Sequence, residues 1–272
     1  MKKLFVFDID GTLVNRSYEL KQEVIDAINL LLESGHYVAT CSGRSYIGSM
    51  RFLSQFKNGD KFAICANGAM VYKEDKTLIK SFLLKYEDYK RVYKYTNEVK
   101  DFFTYFYKND TLYHEYYDEC IELDKKSNNM CSYNVENRFK SDEIIDKIMV
   151  RDKSRSKMLD FKIPFVLKFK YSAVKSSKVF LEVTNKKANK GRGVEILRKY
   201  LNIKKENVFV FGDSGNDVSM IKRFKNSIAM GNGINEVKNH AKYITKSVEE
   251  AGVVYALKEL LKWYERFKYE RK

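Results

Sequence analysis

Residues 4–12 read Leu4-Phe5-Val6-Phe7-Asp8-Ile9-Asp10-Gly11-Thr12: four apolar residues, two acids flanking an isoleucine, then a glycine and a threonine. A short continuous apolar run is what a strand buried on both faces looks like. Side-chain alternation places Asp8 and Asp10 on one side of the strand end. Gly11 permits a sharp turn, and Thr12 adds a hydroxyl beside it. Two carboxylates so close repel one another, so an ordered pair calls for a cation. An open α/β sheet carries its chemistry at the carboxyl ends of its strands, where this pair falls. An acidic turn closing a strand is the plainer alternative, and the rest of the chain has to distinguish them.

Working outward, residues 19–34 place Val24, Ala27, Ile28, Leu31 and Leu32 at helical spacing, and Gly35 supplies a stop. Tyr37-Val38-Ala39-Thr40-Cys41 reads as a second strand, so strand, helix and strand predict a right-handed parallel crossover. Ser42-Gly43-Arg44 follows, opening a helix over 45–56. A hydroxyl and a glycine at a helix start can be an ordinary N-cap or an anion site. One crossover after Asp8 and Asp10, the anion reading is preferred. Residues 62–66 form a third strand ending in Asn67-Gly68, and 70–72 with 77–82 form a hairpin.

Texture changes near residue 82. Half of the 20 tyrosines lie within 81–140. Residues 86–107 read as one long helix, 140–150 as another, and 164–170 and 178–184 as strands. We therefore expect a catalytic core formed by 1–82 and 185–272, interrupted by an α+β insert at 83–184 that caps it. Within the insert, Tyr105, Tyr107, Tyr113, Tyr116 and Tyr117 are expected to pack its core. Beyond it, Lys190-Gly191 opens a helix carrying Val194, Leu197 and Leu201. Residues 207–211 form a strand ending in Gly212-Asp213-Ser214-Gly215-Asn216-Asp217. That acidic loop lacks the alternating ligands and distal Glu of an EF-hand. A strand at 227–230, a short helix, another strand and a helix from 249 to about 267 complete the pattern.

Composition narrows the function classes. A chain of 272 residues with 44% hydrophobic content is globular and large enough for two domains. No apolar run reaches membrane-spanning length, and the chain enters a strand without a signal-like segment, so a cytoplasmic protein is expected. Cys41, Cys65, Cys120 and Cys131 contain no Cys-x-x-Cys pair, and three scattered histidines give little basis for a zinc site or histidine triad. The net charge of +15 raises the question of nucleic acid. The surplus is concentrated in 185–272, with 20 Lys/Arg against 10 Asp/Glu, yet it forms no compact block. A lysine-biased solvated surface is the preferred reading, with no specific nucleic-acid partner.

Asp8-Ile9-Asp10-Gly11-Thr12, Ser42-Gly43, Lys190-Gly191 and Gly212-Asp213-x-x-Asn216-Asp217 together resemble the four motifs of the haloacid dehalogenase-like (HAD) phosphatases. The Asn67-Gly68 hairpin and Ala229-Met230-Gly231-Asn232-Gly233 are similar to the Cof-type branch. The resemblance implies a Rossmann-like α/β core with a parallel sheet, helices on both faces and an inserted α+β cap. It implies that Asp8 is the nucleophile that forms an aspartyl phosphate, and Asp10 the general acid and base. It implies Mg²⁺ held by Asp8, the Asp10 main-chain oxygen and Asp213, with Asp217 and Thr12 in support. Ser42, the backbone at Ile9 and Gly43, Lys190 and Asn216 would hold phosphate oxygens. Arg44 would reach the substrate or pair with a core acid. The expected substrate is a small phosphorylated metabolite, and the expected assembly a monomer or weak homodimer. A phosphotransferase or sugar phosphomutase on the same scaffold is the alternative.

Overall fold

The computed structural model describes residues 1–15, 17–57, 59–98, 102–136, 138–153, 170–176 and 179–260. In chain order the elements are β1 (Leu4–Phe7), α1 (Gln22–Glu33), β2 (Tyr37–Cys41), α2 (Tyr46–Leu53), β3 (Lys61–Cys65), β4 (Met70–Lys73) and β5 (Leu78–Ser81). Next come β6 (Leu84–Lys85), α3 (Tyr86–Glu98), β7 (Phe102–Lys108), β8 (Thr111–His114), α4 (Glu119–Asn128), β9 (Cys131–Asn134), β10 (Ile144–Ile145), β11 (Lys147–Asp152), β12 (Tyr171–Lys175) and β13 (Phe180–Asn185). The chain continues through α5 (Lys190–Tyr200), β14 (Val208–Gly212), α6 (Val218–Arg223), β15 (Asn226–Ala229), α7 (Asn235–His240), β16 (Tyr243–Ile244) and α8 (Gly252–Tyr255).

Two large sheets result. The first has the order β16-β15-β14-β1-β2-β3-β4-β5, parallel from β16 to β3 and antiparallel through the β4–β5 hairpin. β1 lies near its middle, and alternation commits its side chains to opposite faces. Phe5 and Phe7 pack with Val24, Ile28 and Leu31 of α1. Leu4 and Val6 pack with Val194 and Leu197 of α5 and Met220 of α6. Burial on both faces is what the continuous apolar run of β1 requires. No helix among the described residues is long and apolar enough to cross a membrane.

The second sheet has the order β12-β13-β11-β7-β8-β9 and is antiparallel except between β8 and β9. Two expected helices are corrected here. The helix beginning at Tyr86 stops at Glu98, and Phe102–Lys108 is a strand. Its aromatic side chains fill both faces of a strand hydrogen-bonded on both edges, by β11 and β8. The expected helix over 140–150 is replaced by β10 and β11. β11 lies between β7 and β13, and its β-branched Ile148 and Val150 favour that setting. The apolar residues at 144, 145 and 148 suit a helix by spacing, but pairing on both edges of β11 outweighs that local preference. The strand expected at 164–170 lies, except for Lys170, outside the described residues, as does the end of the last expected helix. Tyr105 and Tyr107 are buried and Tyr113 partly so, whereas Tyr116 and Tyr117 are 67% and 62% exposed and pack no core.

Candidate active site

The site lies where β1, β2 and β14 end and α5 begins. Asp8 continues β1 by one residue, its N–H donating to the Phe211 carbonyl at 3.0 Å. The β14 loop brings Asp213 beside it across the β1–β14 pair. Asp8, Asp213 and Asp217 each place a carboxylate oxygen within 4.8 Å of the others. Lys190 enters from the first turn of α5, where the Asn189 side chain caps the helix by accepting from Arg192 N–H at 2.8 Å. Lys190 is 0% exposed, and its Nζ donates to Asp8 Oδ1 at 2.5 Å and to Asp217 Oδ1 at 2.6 Å. Lys190, not Lys186 or Lys187, is therefore the lysine of the cluster.

The charges explain the protonation tendencies. Burial, followed by the Asp217 charge, pushes Asp8 well above the ordinary carboxylate range, and Lys190 opposes this. Asp213 is pushed up to about 7 by burial and then by Asp217. Lys190 is desolvated too, but the Asp217 and Asp8 carboxylates outweigh that cost and raise it above the ordinary lysine range. With all three carboxylates ionised against one ammonium, two negative charges are left over, and burial together with their mutual repulsion is what raises Asp8 and Asp213. Hard oxygen donors with that residual charge fit one divalent cation. Asp217 is the poorest donor of the three. Its Oδ2 already accepts from the N–H groups of Asp213 and Ser214, both at 2.9 Å, and its Oδ1 from Lys190. It shapes the loop that presents Asp213. Thr12 Oγ1 donates to Asp213 Oδ1 at 3.3 Å. Gly11 has φ +89°, and a Cβ there would run into the Asp213 carboxylate.

The remaining nominated residues divide. Asp10 does not share the environment of Asp8. The tight turn in which the Leu13 and Val14 N–H groups donate to the Ile9 carbonyl swings Asp10 outward, leaving its side chain 46% exposed. There Arg44 forks onto it, Nε to Oδ2 at 2.8 Å and Nη2 to Oδ1 at 2.6 Å. Of the two roles open to Arg44, the structure displays the pairing with a core acid. Ser42 is buried, and its Oγ accepts from the Arg44 N–H at 3.2 Å. Asn216 donates to Asn67 Oδ1 at 3.0 Å. Ile9 is fully buried behind the turn.

Sequence reasoning gave no site role to four neighbours. Asn67 stands out only as an Asn-Gly turn, yet its φ of +53° and buried side chain belong to the site. Asn232, in the Ala229–Gly233 stretch that the resemblance sets beside the site without giving it a role, donates to the Gly11 carbonyl at 2.8 Å. Lys147 and Glu182 come from the second sheet; Glu182 lies in the Leu181-Glu182-Val183-Thr184 stretch that leads to Lys190-Gly191 and resembles the family's third motif, but no local pattern gives either residue a place at the site.

This geometry has close relatives. The family model for haloacid dehalogenase-like hydrolases matches residues 5–257. The chain is 31% identical to YxeH of Bacillus subtilis (strain 168), provisionally named as a phosphatase, over 96% of this chain and 99% of YxeH. It is 28% identical to YwtE of the same organism, named as a 5-amino-6-(5-phospho-D-ribitylamino)uracil phosphatase, over 95% and 98% of the two chains. Its fold matches the crystal structure of a haloacid dehalogenase-like hydrolase from Bacteroides thetaiotaomicron with a TM-score of 0.83, at 23% identity over 96% and 100% of the two chains. With four motifs gathered at adjoining strand ends and a family match along nearly its whole length, the chain belongs to the haloacid dehalogenase-like hydrolases.

Proposed function

We propose that this hydrolase is a Mg²⁺-dependent phosphatase that cleaves small phosphate monoesters through an aspartyl phosphate on Asp8. The observation that carries the proposal is the buried ammonium of Lys190 joined to Asp8 beside Asp213. An ionised carboxylate buried among other acids becomes a usable nucleophile only if its charge is balanced, and Lys190 does this at the attacking group itself. Asp8, Asp213 and the Asp10 main-chain oxygen would hold the metal. When bound, Mg²⁺ supplies charge neutralisation for the phosphoryl oxygens.

The protein groups then divide the work. An Asp8 oxygen attacks phosphorus, and the bond to the leaving oxygen breaks. Asp10 hands its proton to the departing alkoxide, later takes one from the attacking water, and the acyl phosphate is hydrolysed. The fork of Arg44 on Asp10 has to open before Asp10 can carry a proton, which frees the guanidinium for the phosphate. Ser42, the Ile9 and Gly43 backbone, Lys190 and Asn216 hold the other phosphoryl oxygens. The insert at 83–184 acts as a cap that excludes bulk water and sets which ester fits. The name borne by YwtE supports a small phosphorylated metabolite as substrate.

The test is phosphate release from a panel of metabolite monoesters. Asp8→Asn is expected to abolish release while preserving the circular dichroism spectrum. EDTA is expected to stop turnover and added Mg²⁺ to restore it. An active Asp8→Asn protein refutes the assigned nucleophile, and turnover persisting in EDTA refutes the metal. Isomeric sugar phosphate in place of free phosphate identifies a mutase instead.

A further inference from the structure

Lys147 and Glu182 are diagonal neighbours on one face of the β11–β13 pair, where Met149 is opposite Glu182. Both side chains are buried, and Lys147 Nζ donates to Glu182 Oε2 at 2.9 Å. The same ammonium lies 4.3 Å from the ring centroid of Tyr107, its partner on β7.

What the pair touches beyond its own sheet is the informative part. Lys147 Nζ also donates to the Gly43 carbonyl at 2.7 Å, and Asn67 Nδ2 donates to Glu182 Oε2 at 3.1 Å. Asn67 relays this contact onward, because its Oδ1 accepts from Asn216 Nδ2 and its backbone N–H donates to the Ser42 carbonyl at 2.9 Å. A Cβ at residue 43 would stand 2.6 Å from Glu182 Oε1, so glycine is what lets the carboxylate settle on this loop. One ion pair from the second sheet thus grips the Ser42-Gly43 loop directly and the Asn216 loop through Asn67. Burying such a pair gains little stability over apolar side chains of similar volume, so stability alone is a weak reason for it.

We infer that Lys147 and Glu182 are positioning residues, a clasp by which the second sheet sets the spacing of the two phosphate-holding loops when it lies against the first. The inference rests on the phosphatase reading and deepens it. The clasp acts on the phosphoryl end of any substrate and leaves the choice of alcohol to other residues. Hydrogen bonds that orient active groups from one layer away contribute roughly 10- to 100-fold, as does placement within about 1 Å.

The experiment uses the full chain with Mg²⁺ and two esters of different leaving groups, p-nitrophenyl phosphate and a hexose 6-phosphate. Inorganic phosphate serves as competitive inhibitor. The first variant is Lys147→Met with Glu182→Met, which removes both charges together. The second is Asn67→Gly, which keeps the left-handed backbone and cuts only the relay. Both are expected to lower kcat/KM roughly 10- to 100-fold by the same factor on the two esters and to raise the phosphate Ki, with the melting temperature little changed. Wild-type kcat/KM and Ki in the double variant overturn the clasp and leave the pair a brace. Loss on one ester only also overturns it, in favour of contact with the leaving group. If the double variant does not fold, Asn67→Gly decides by the same readouts. A wild-type protein that releases no phosphate overturns the phosphatase reading, and the clasp with it.

Discussion

Replacing Lys190 by Met removes the ammonium that touches both Asp8 and Asp217, and the structure sets the consequences. Lys190 and Asp217 are fully buried and Asp8 nearly so, so bulk water compensates the lost partner poorly. Removing one member of a buried pair costs about 3–5 kcal/mol, because the remaining charge is stranded. At about 2–4 °C per kcal/mol for a chain of this size, the melting temperature should drop by roughly 10 °C. The two carboxylates respond differently. Asp217 keeps the Asp213 and Ser214 N–H donors, whereas Asp8 loses the cation opposing its upward shift and takes up the proton. A protonated Asp8 cannot attack phosphorus, and the missing ammonium no longer stabilises the transition state, so kcat/KM should fall at least about 10²–10³-fold. The sign with pH follows. A carboxylate raised in the folded state holds a proton that the unfolded chain releases, so stability declines as pH rises through that window. The penalty of Lys190→Met should therefore be smaller at pH 5 than at pH 8. Combining it with Asp217→Asn restores the charge count and should recover most of the stability but none of the phosphate release. Thermal melts at the two pH values and a phosphate-release assay make the measurement. A Lys190→Met protein with wild-type melting temperature and kcat/KM refutes the reasoning.

Gly11→Ala forces a Cβ into the Asp213 carboxylate at a positive φ, so the Mg²⁺ concentration for half-maximal activity should rise at least about tenfold, with a stability loss of about 1–2 kcal/mol. A Mg²⁺ titration reads the first and a melt the second, and unchanged values for both contradict the packing described. Asp146 is pushed up to about 7 by burial and then by the Asp110 charge. Its effect on stability is neutral near pH 4 and grows unfavourable as pH rises through 7, by at most roughly 4 kcal/mol. Asp146→Asn should therefore raise the melting temperature at pH 8 more than at pH 5, and an equal change at both pH values counts against that assignment.

The strand ends of the first sheet were legible because each is written locally. An apolar run followed by an acid, a serine-glycine pair or an acidic loop needs no distant partner to be recognised. Asp8, Asp213 and Asp217 were nominated this way, Lys190 by its glycine at a helix start and the family resemblance, and the four meet. The second sheet was less legible: 178–184 was readable as a strand, but β7 and β11 look like helices until their edges are paired. Phe102–Lys108 has apolar residues at every phase, so periodicity cannot assign it, and only its position between β8 and β11 does.

The sequence by itself determined the order of the core elements and which acids and lysine stand at their ends, since hydrophobic pattern and turn chemistry act over a few residues. Tertiary structure alone decided that Arg44 closes on Asp10, that Asp217 spends its oxygens on a lysine and two backbone N–H groups, and that Lys147 and Glu182 reach across to Gly43 and Asn67. Each of those choices depends on which polar groups a side chain finds within about 3 Å once the strand ends and the second sheet are brought together, and hydrophobic periodicity carries no record of that.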